Sequence, residues 1–199
     1  MYNNKTMKKE YIAAIVVMMM CCSSSSMASM MMGGGETKAV ETESTLPKGQ
    51  HVKLVHTIAQ DNSAEGNVDD KNMILNLAEL EIFAKDGTAS LAAGKTVTGS
   101  SEYSSTHGYI NLVDGNMTNF AHTKGRTAEE IDYLQVDLGS EQEIEKIKIT
   151  NRTSCCKKRA IGVKAVILAA DGTTVVEETP AISTVADTYT FTFPGTTWA

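Results

Sequence analysis

The chain has 199 residues, a formal net charge of -6, and 42% hydrophobic against 21% charged residues. That length allows one ordinary domain plus a tail. The acidic balance, with a pI near 5.2, excludes a broad basic face for nucleic acid, and the lack of any C-x2-C spacing excludes a zinc knuckle.

Residues 1–10 carry Lys5, Lys8 and Lys9, and residues 11–32 carry no charge. As a helix the uncharged run would span roughly 33 Å, enough for a hydrocarbon core of about 30 Å. Two readings fit it. A cleaved signal peptide would use residues 12–22 as its apolar segment, with Ser26-Met27-Ala28 near the cut. An uncleaved signal anchor would use the whole run. In both, the lysines keep the N-terminus cytoplasmic and send the remainder across the membrane. The C-terminal domain is therefore expected to be surface-exposed on a membrane anchor, or secreted. Most of the methionines fall in this leader, as does the pair Cys21-Cys22, which suits apolar filler or lipid attachment.

Residues 33–50 lack apolar periodicity and are expected to be a flexible stalk. From His51 the pattern changes to period 2. Val52, Leu54 and Val55 open a strand, residues 61–71 form a polar loop, and residues 73–84 alternate. In that second strand Ala78, Leu80 and Ile82 share one face, with Glu79 and Glu81 on the other. Further strands are expected at residues 95–99, 133–138, 144–150, 163–169, 174–178 and 188–193. Asp86-Gly87 marks a turn and Asp171-Gly172 a two-residue hairpin. Beyond residue 50 no amphipathic helix stands out, although residues 128–131 could form a turn. Many short strands with Gly/Asp/Asn turns predict an all-β antiparallel sandwich or jelly roll over residues 51–199.

Three clusters could carry chemistry. Asn151-Arg152-Thr153-Ser154-Cys155-Cys156-Lys157-Lys158-Arg159 sets two adjacent cysteines between two arginines. Neighbouring Cα atoms lie about 3.8 Å apart, short of the roughly 4.4–6.8 Å of ordinary disulfides. The pair is either two free thiols or an eight-membered disulfide ring, and the ring would be a stiff apolar knob. Arginine's fork offers two parallel donors, which match vicinal hydroxyls on a sugar. The second cluster, Asn111-Leu112-Val113-Asp114-Gly115-Asn116 with Asn119, is either a plain turn or an oxygen-lined calcium loop, with Glu79 as a possible second carboxylate. The third, Phe120-Ala121-His122-Thr123, offers a loop histidine. His56 and His107 are assigned no role.

These residues together resemble an F-type lectin (fucolectin) domain of the galactose-binding-like, discoidin-related sandwiches. The resemblance runs from Ser90-Leu91-Ala92-Ala93-Gly94-Lys95 and Ser100 through the Asn111–Asn119 loop, Ala121-His122-Thr123 and Tyr133-Leu134-Gln135-Val136-Asp137-Leu138-Gly139 to Asn151-Arg152, Cys155-Cys156 and Arg159. It implies that His122, Arg152 and Arg159 hydrogen-bond a fucose-type sugar, and that Cys155 and Cys156 form a vicinal disulfide packed on it. It also implies a structural calcium at Asn111, Asp114, Asn116 and Asn119, largely through backbone carbonyls, with Glu79 at a ligand position. The expected partners are fucosylated or related glycans, with the membrane engaged through the leader. Association of several copies would add avidity to a weak single site, and no nucleic acid or catalytic reaction is implied.

Departures from the family pattern bear on this reading. The usual Arg-Gly-Asp before the cysteines is Arg152-Thr153-Ser154 here, and the His-to-Arg spacing is three residues longer, placed in residues 124–130. The strands that normally end the domain come first, as residues 51–58 and 73–84, so the domain resembles a circular permutant, which nearby termini make cheap. Glu79 is then expected beside the Asp114 loop. Losing the aspartate leaves an alternative role, a surface or envelope adhesion protein that kept the sandwich and lost the sugar. Thiol chemistry at the cysteine pair lacks a separate base, and a hydrolase lacks an acidic dyad or nucleophile elbow. Two sequons occur, at Asn116 and Asn151, and the second is expected to stay unused because a glycan there would crowd the pocket.

Overall fold

The computed structural model describes residues 45–57, 73–125, 131–195 and 197–198. The leader, most of the stalk, the loop expected at residues 61–71 and most of the 124–130 insertion lie outside the described residues. Among the described residues no helix is long and apolar enough to cross a membrane.

Among the described residues ten strands form two five-stranded antiparallel sheets. They are β1 (Lys48–His56), β2 (Asn76–Phe83), β3 (Thr96–Gly99), β4 (Ala121–His122), β5 (Tyr133–Glu143), β6 (Lys146–Asn151), β7 (Val163–Leu168), β8 (Val175–Glu178), β9 (Thr188–Thr192) and β10 (Thr197–Trp198). The first sheet has the order β3-β5-β1-β7-β8 and the second β10-β9-β6-β2-β4. Alternation places Val52 and Leu54 of β1, Leu134, Val136 and Leu138 of β5, and Ile147 and Ile149 of β6 in one shared core. The β7–β8 hairpin turns at Asp171-Gly172, where Gly172 adopts φ 70°, a conformation glycine reaches without steric cost. The predicted all-β sandwich is thus the observed architecture.

Two expectations need correction. The stalk ends before Gln50, because Lys48 and Gly49 already pair with Glu143 and Gln142 of β5. The alternation of β2 holds for Leu80 and Ile82 against Glu79 and Glu81 but is interrupted at Ala78. Its pairing with β6 shifts between Leu77 and Glu79, and a bulge of this kind moves the following side chains to the opposite face. Leu75 and Leu77 face the core before it, Leu80 and Ile82 after it. The 3₁₀ turn Tyr109–Leu112 packs against β2 and puts Leu112 into the core. Glu79, on the face opposite Leu80 and Ile82, is only 3% exposed.

The two ends of the described domain meet. The Pro47 carbonyl accepts a hydrogen bond from the Ile144 amide, and the Glu145 carbonyl accepts one from Phe193. Residues Thr45–Lys48 and Phe193–Gly195 line one surface depression.

Candidate functional site

A pocket of about 490 Å³ opens where β4 and the loop after β6 meet. Its walls include His122, Arg152, Cys155, Cys156 and Arg159, so folding brings all five expected sugar-contact residues together.

The loop after β6 is held by Asn151. Its Nδ2 donates to the carbonyls of Lys157 and Ala186 and to the Tyr189 hydroxyl, while its Oδ1 accepts from the Arg152 amide. Lys157 adds an ion pair to Asp187 at the loop's base. Asn151 is 1% exposed and its amide nitrogen is engaged, so the sequon at this position is closed in the folded domain. Cys155 and Cys156 are bonded to each other. Their Cα atoms lie 3.8 Å apart, the spacing of a trans peptide, and Cys156 sits in the left-handed region at φ 62°. The residue then caps the 3₁₀ turn Lys157–Ala160, which carries Arg159 into the pocket.

Arg159 is nearly buried, at 5% exposure, and its Nη1 lies 3.3 Å from Nε2 of His122. On the other side of that ring, Nδ1 lies 2.5 Å from the Thr123 carbonyl. A carbonyl can only accept, so Nδ1 carries the proton and Nε2 accepts from Arg159. Burial, reinforced by the charges of Arg159 and Arg152, lowers the His122 pKa to about 4. The ring is neutral at physiological pH. Arg152 lies flat on Phe120, with its guanidinium carbon 3.8 Å from the ring centroid, a favourable cation–π contact. Its Nε donates to Ser154 Oγ at 2.8 Å. Where the family pattern has an orienting carboxylate, a serine hydroxyl takes that position.

The opposite wall is aromatic. His107 lies 4.4 Å from Phe120, and Tyr103 lies 4.6 Å from His122, between ring centroids. His107, assigned no role from sequence, therefore belongs to the site, as do Tyr103, Ile74 and Lys124. Period-2 patterns cannot find such residues. They converge from residues 103–107, the segment before β2 and the segment after β4, without a shared motif. His56 does stay outside: it is buried, its Nε2 donates to the Ile74 carbonyl at 2.7 Å, and burial lowers its pKa to about 4.

The Asp114 loop joins the pocket wall through Asn111, which donates to the Phe120 carbonyl. Glu79 reaches it across β2, and both carboxylate oxygens accept from the Gly115 amide, at 3.1 and 3.3 Å. Asp114 accepts from the Asn116 amide and from Asn119 Nδ2. Asn111 braces the loop by donating to the Thr106 and Phe120 carbonyls, and Asn116 Oδ1 accepts from Thr118. With these side chains engaged in shaping the loop, Asn111 and Asn116 keep mainly their backbone carbonyls for a cation. Among the described residues no three His, Cys, Asp or Glu side chains cluster as a metal site.

Two features nevertheless fit a hard cation with oxygen ligands. Burial, with the negative charges of Asp114 and Glu81 adding to it, pushes the Glu79 pKa up to about 7, a shift that a bound cation would oppose. Asn119 Oδ1 is also buried without a hydrogen-bond partner.

Residues 111–199 match the family model described as "NedA-like, galactose-binding domain", of the F5/F8 type C group. No curated protein and no solved structure matches the chain. The matched stretch contains the Asp114 loop, His122 and the loop after β6, while β1 and β2 precede it. Together with the two antiparallel sheets, the match supports a place in the galactose-binding-like superfamily and carbohydrate as the general class of ligand.

Proposed function

We propose that this chain is a non-catalytic glycan-binding module whose pocket takes a fucose-type sugar. The observation that carries the reading is the convergence of His122, Arg152 and Arg159 on a pocket with two apolar sides. Fucose has vicinal hydroxyls on one edge and a methyl group on another. The arginine forks suit the hydroxyls. The His107–Phe120 patch suits the methyl, and the Cys155–Cys156 ring offers a flat apolar platform for the sugar face. Ser154, by holding Arg152 in place, supports retention of binding over the adhesion-only reading.

In this reading a structural calcium is held by the Glu79 and Asp114 carboxylates, by Asn119 Oδ1 and by the carbonyls of Asn111 and Asn116. It stiffens the loop that presents Phe120 and His122 and takes no part in a reaction. The domain is a circular permutant: β1 and β2 stand ahead of the matched stretch, and the meeting of residues 45–48 with residues 193–195 supplies the short path such a rearrangement needs. The uncharged run at residues 11–32 anchors the module to a membrane, or directs its secretion, with the pocket on the non-cytoplasmic side. Several anchored copies would raise avidity.

A glycan array tests the reading. The wild-type domain is expected to retain fucosylated glycans selectively, and Arg152→Ala and Arg159→Ala to lose at least tenfold in affinity while still folding. A folded wild-type domain that binds no glycan would overturn it in favour of a surface or envelope adhesion role.

A further inference from the structure

Lys124 lines the pocket and is exposed, and its ammonium makes no hydrogen bond or ion pair among the described residues. Its backbone, in contrast, is pinned. The Lys124 amide donates to Ser101 Oγ at 3.0 Å, the Thr123 amide before it to the Leu75 carbonyl at 2.9 Å, and the Gly125 amide after it to Asp132 Oδ2 at 2.8 Å. Asp132 is fully buried, accepts from the Ser100 and Ser101 hydroxyls through its other oxygen, and does not pair with Lys124. A fixed root under a flexible four-carbon stem keeps a point charge within reach of the pocket.

Among the described residues the charge on the pocket walls is of one sign. Lys124, Arg152 and Arg159 line it, and no Asp or Glu does. Burial, and after it the charges of Arg159 and Arg152, keep His122 neutral, so that ring neither adds to the positive field nor cancels it. The loop from Arg152 to Arg159 holds no acidic residue, since Ser154 stands where the family pattern has a carboxylate. A cleft lined by one sign of charge concentrates ligands of the other sign. A neutral sugar draws no such benefit from an unpaired ammonium. At about 490 Å³ the pocket falls within the range that takes drug-sized ligands, which leaves room for a substituent on a single deoxyhexose.

We propose that the sugar taken by this site carries an anionic ester, sulfate or phosphate, on a ring hydroxyl, and that Lys124 selects for it. Fucose has a methyl group where other hexoses carry an oxygen-bearing arm, so its hydroxyls are where an anion can be attached. The ester oxygens accept from the Lys124 ammonium in charge-assisted hydrogen bonds, which are shorter and stronger than those of a neutral hydroxyl. The inference rests on the glycan-binding reading. It adds the charge class of the ligand and a residue that determines specificity for it.

The test is calorimetric titration of the full chain with methyl α-L-fucoside and with its singly sulfated and singly phosphorylated derivatives, at low and at high ionic strength. At low ionic strength at least one ester is expected to bind at least tenfold more tightly than the neutral sugar, an advantage that added salt erodes. Which ester leads identifies the anion. Lys124→Gln is expected to cut the ratio of ester to neutral affinity at least fivefold, and Lys124→Arg, which keeps the charge, to preserve that ratio within about twofold. Binding of an ester without measurable binding of the neutral sugar supports the inference as well, with Lys124→Gln then read as a fivefold loss of ester affinity. Esters that bind no more tightly than methyl α-L-fucoside would overturn the inference and leave the glycan reading standing. So would an ester preference unchanged in Lys124→Gln. If the wild type binds neither the neutral sugar nor any ester, the glycan reading itself falls and the inference with it.

Discussion

The outer faces of the two sheets obey different rules. On the first sheet, β1 alternates against β5 once past an irregularity between Gly49 and His51, and the outward side chains include Lys53, Tyr133 and Lys164, which settle into ordinary surface contacts. Lys53 lies over Tyr133, with Nζ 4.3 Å from the ring centroid, and Lys164 pairs with Glu178 at 2.6 Å. On the second sheet, the outward side chains of β2 and β4 include Asn76, Glu79 and His122, all three buried, beside the partly exposed Glu81. One is an orphan amide, one a carboxyl pushed up to about 7, and one an imidazole held neutral with a pKa of about 4. Polar groups kept buried against their solvation preference mark sites where local consistency has been given up for something else. On the second sheet, His122 also lines the candidate pocket.

Acid acts on a buried imidazole in each sheet, His56 of β1 and His122 of β4. His56 and His122 ionise near 6.5 when unfolded but only near 4 in the folded domain. Below pH 6.5 the unfolded chain takes up these protons first, so stability falls as pH drops from about 6.5 to about 4. The slope is at most about 1.4 kcal/mol per pH unit for each histidine. Glu79 acts in the opposite sense. Its folded pKa is raised from 4.5 to about 7, so the folded state gains relative stability as pH falls through that interval. Chemical denaturation across pH 7 to 4 is expected to show a net loss in the wild type, steeper in Glu79→Gln. A flat profile in both would remove the claim that these groups are buried in their neutral forms.

Cation binding gives the next effect in size. A ligand that binds only the folded state at a hundred times its Kd stabilises by about 2.7 kcal/mol. Added calcium is therefore expected to raise the melting temperature of the wild-type domain by several degrees, with chelator reversing the shift. Asp114→Ala and Glu79→Gln should each abolish the response. An identical calcium shift in Asp114→Ala would place the cation elsewhere.

The smallest effect is expected on the first sheet. Exposed ion pairs contribute about 0–1 kcal/mol, so Glu178→Ala should change stability by less than about 1 kcal/mol and leave glycan affinity unaltered. A loss of binding in that variant, measured by the same titration, would erase the contrast between the two faces.

Much of the fold was legible in the chain. The alternations of Leu134, Val136, Leu138 and of Tyr189, Phe191, Phe193 predict strands because side chains in a strand repeat every two residues, and β5 and β9 stand there. Asp171-Gly172 predicts a hairpin because glycine tolerates positive φ, and the chain turns at that point. Part of the site was legible for a different reason. Arg152, Cys155, Cys156 and Arg159 lie within one loop, so their proximity is fixed by the covalent chain, and His122 followed from the order of motifs. Asn76, Tyr103 and His107 carried no such mark. Glu79 was legible as a neighbour of the Asp114 loop but not as a buried group.

What the sequence determined by itself is therefore local: strand periods, turns, and the chemistry of a loop whose functional residues are neighbours in the chain. Only the tertiary structure decided which face of β2 is covered. A bulge at residues 77–79 resets the phase of that strand, and a bulge depends on pairing with β6, 67 residues away at Glu81 and Lys148. The burial of Asn76 and Glu79, and the aromatic wall of Tyr103, His107 and Phe120, likewise arise from segments that meet only after the sheets close. Burial is a property of what packs on a residue, and no pattern along one strand encodes the segment that covers it.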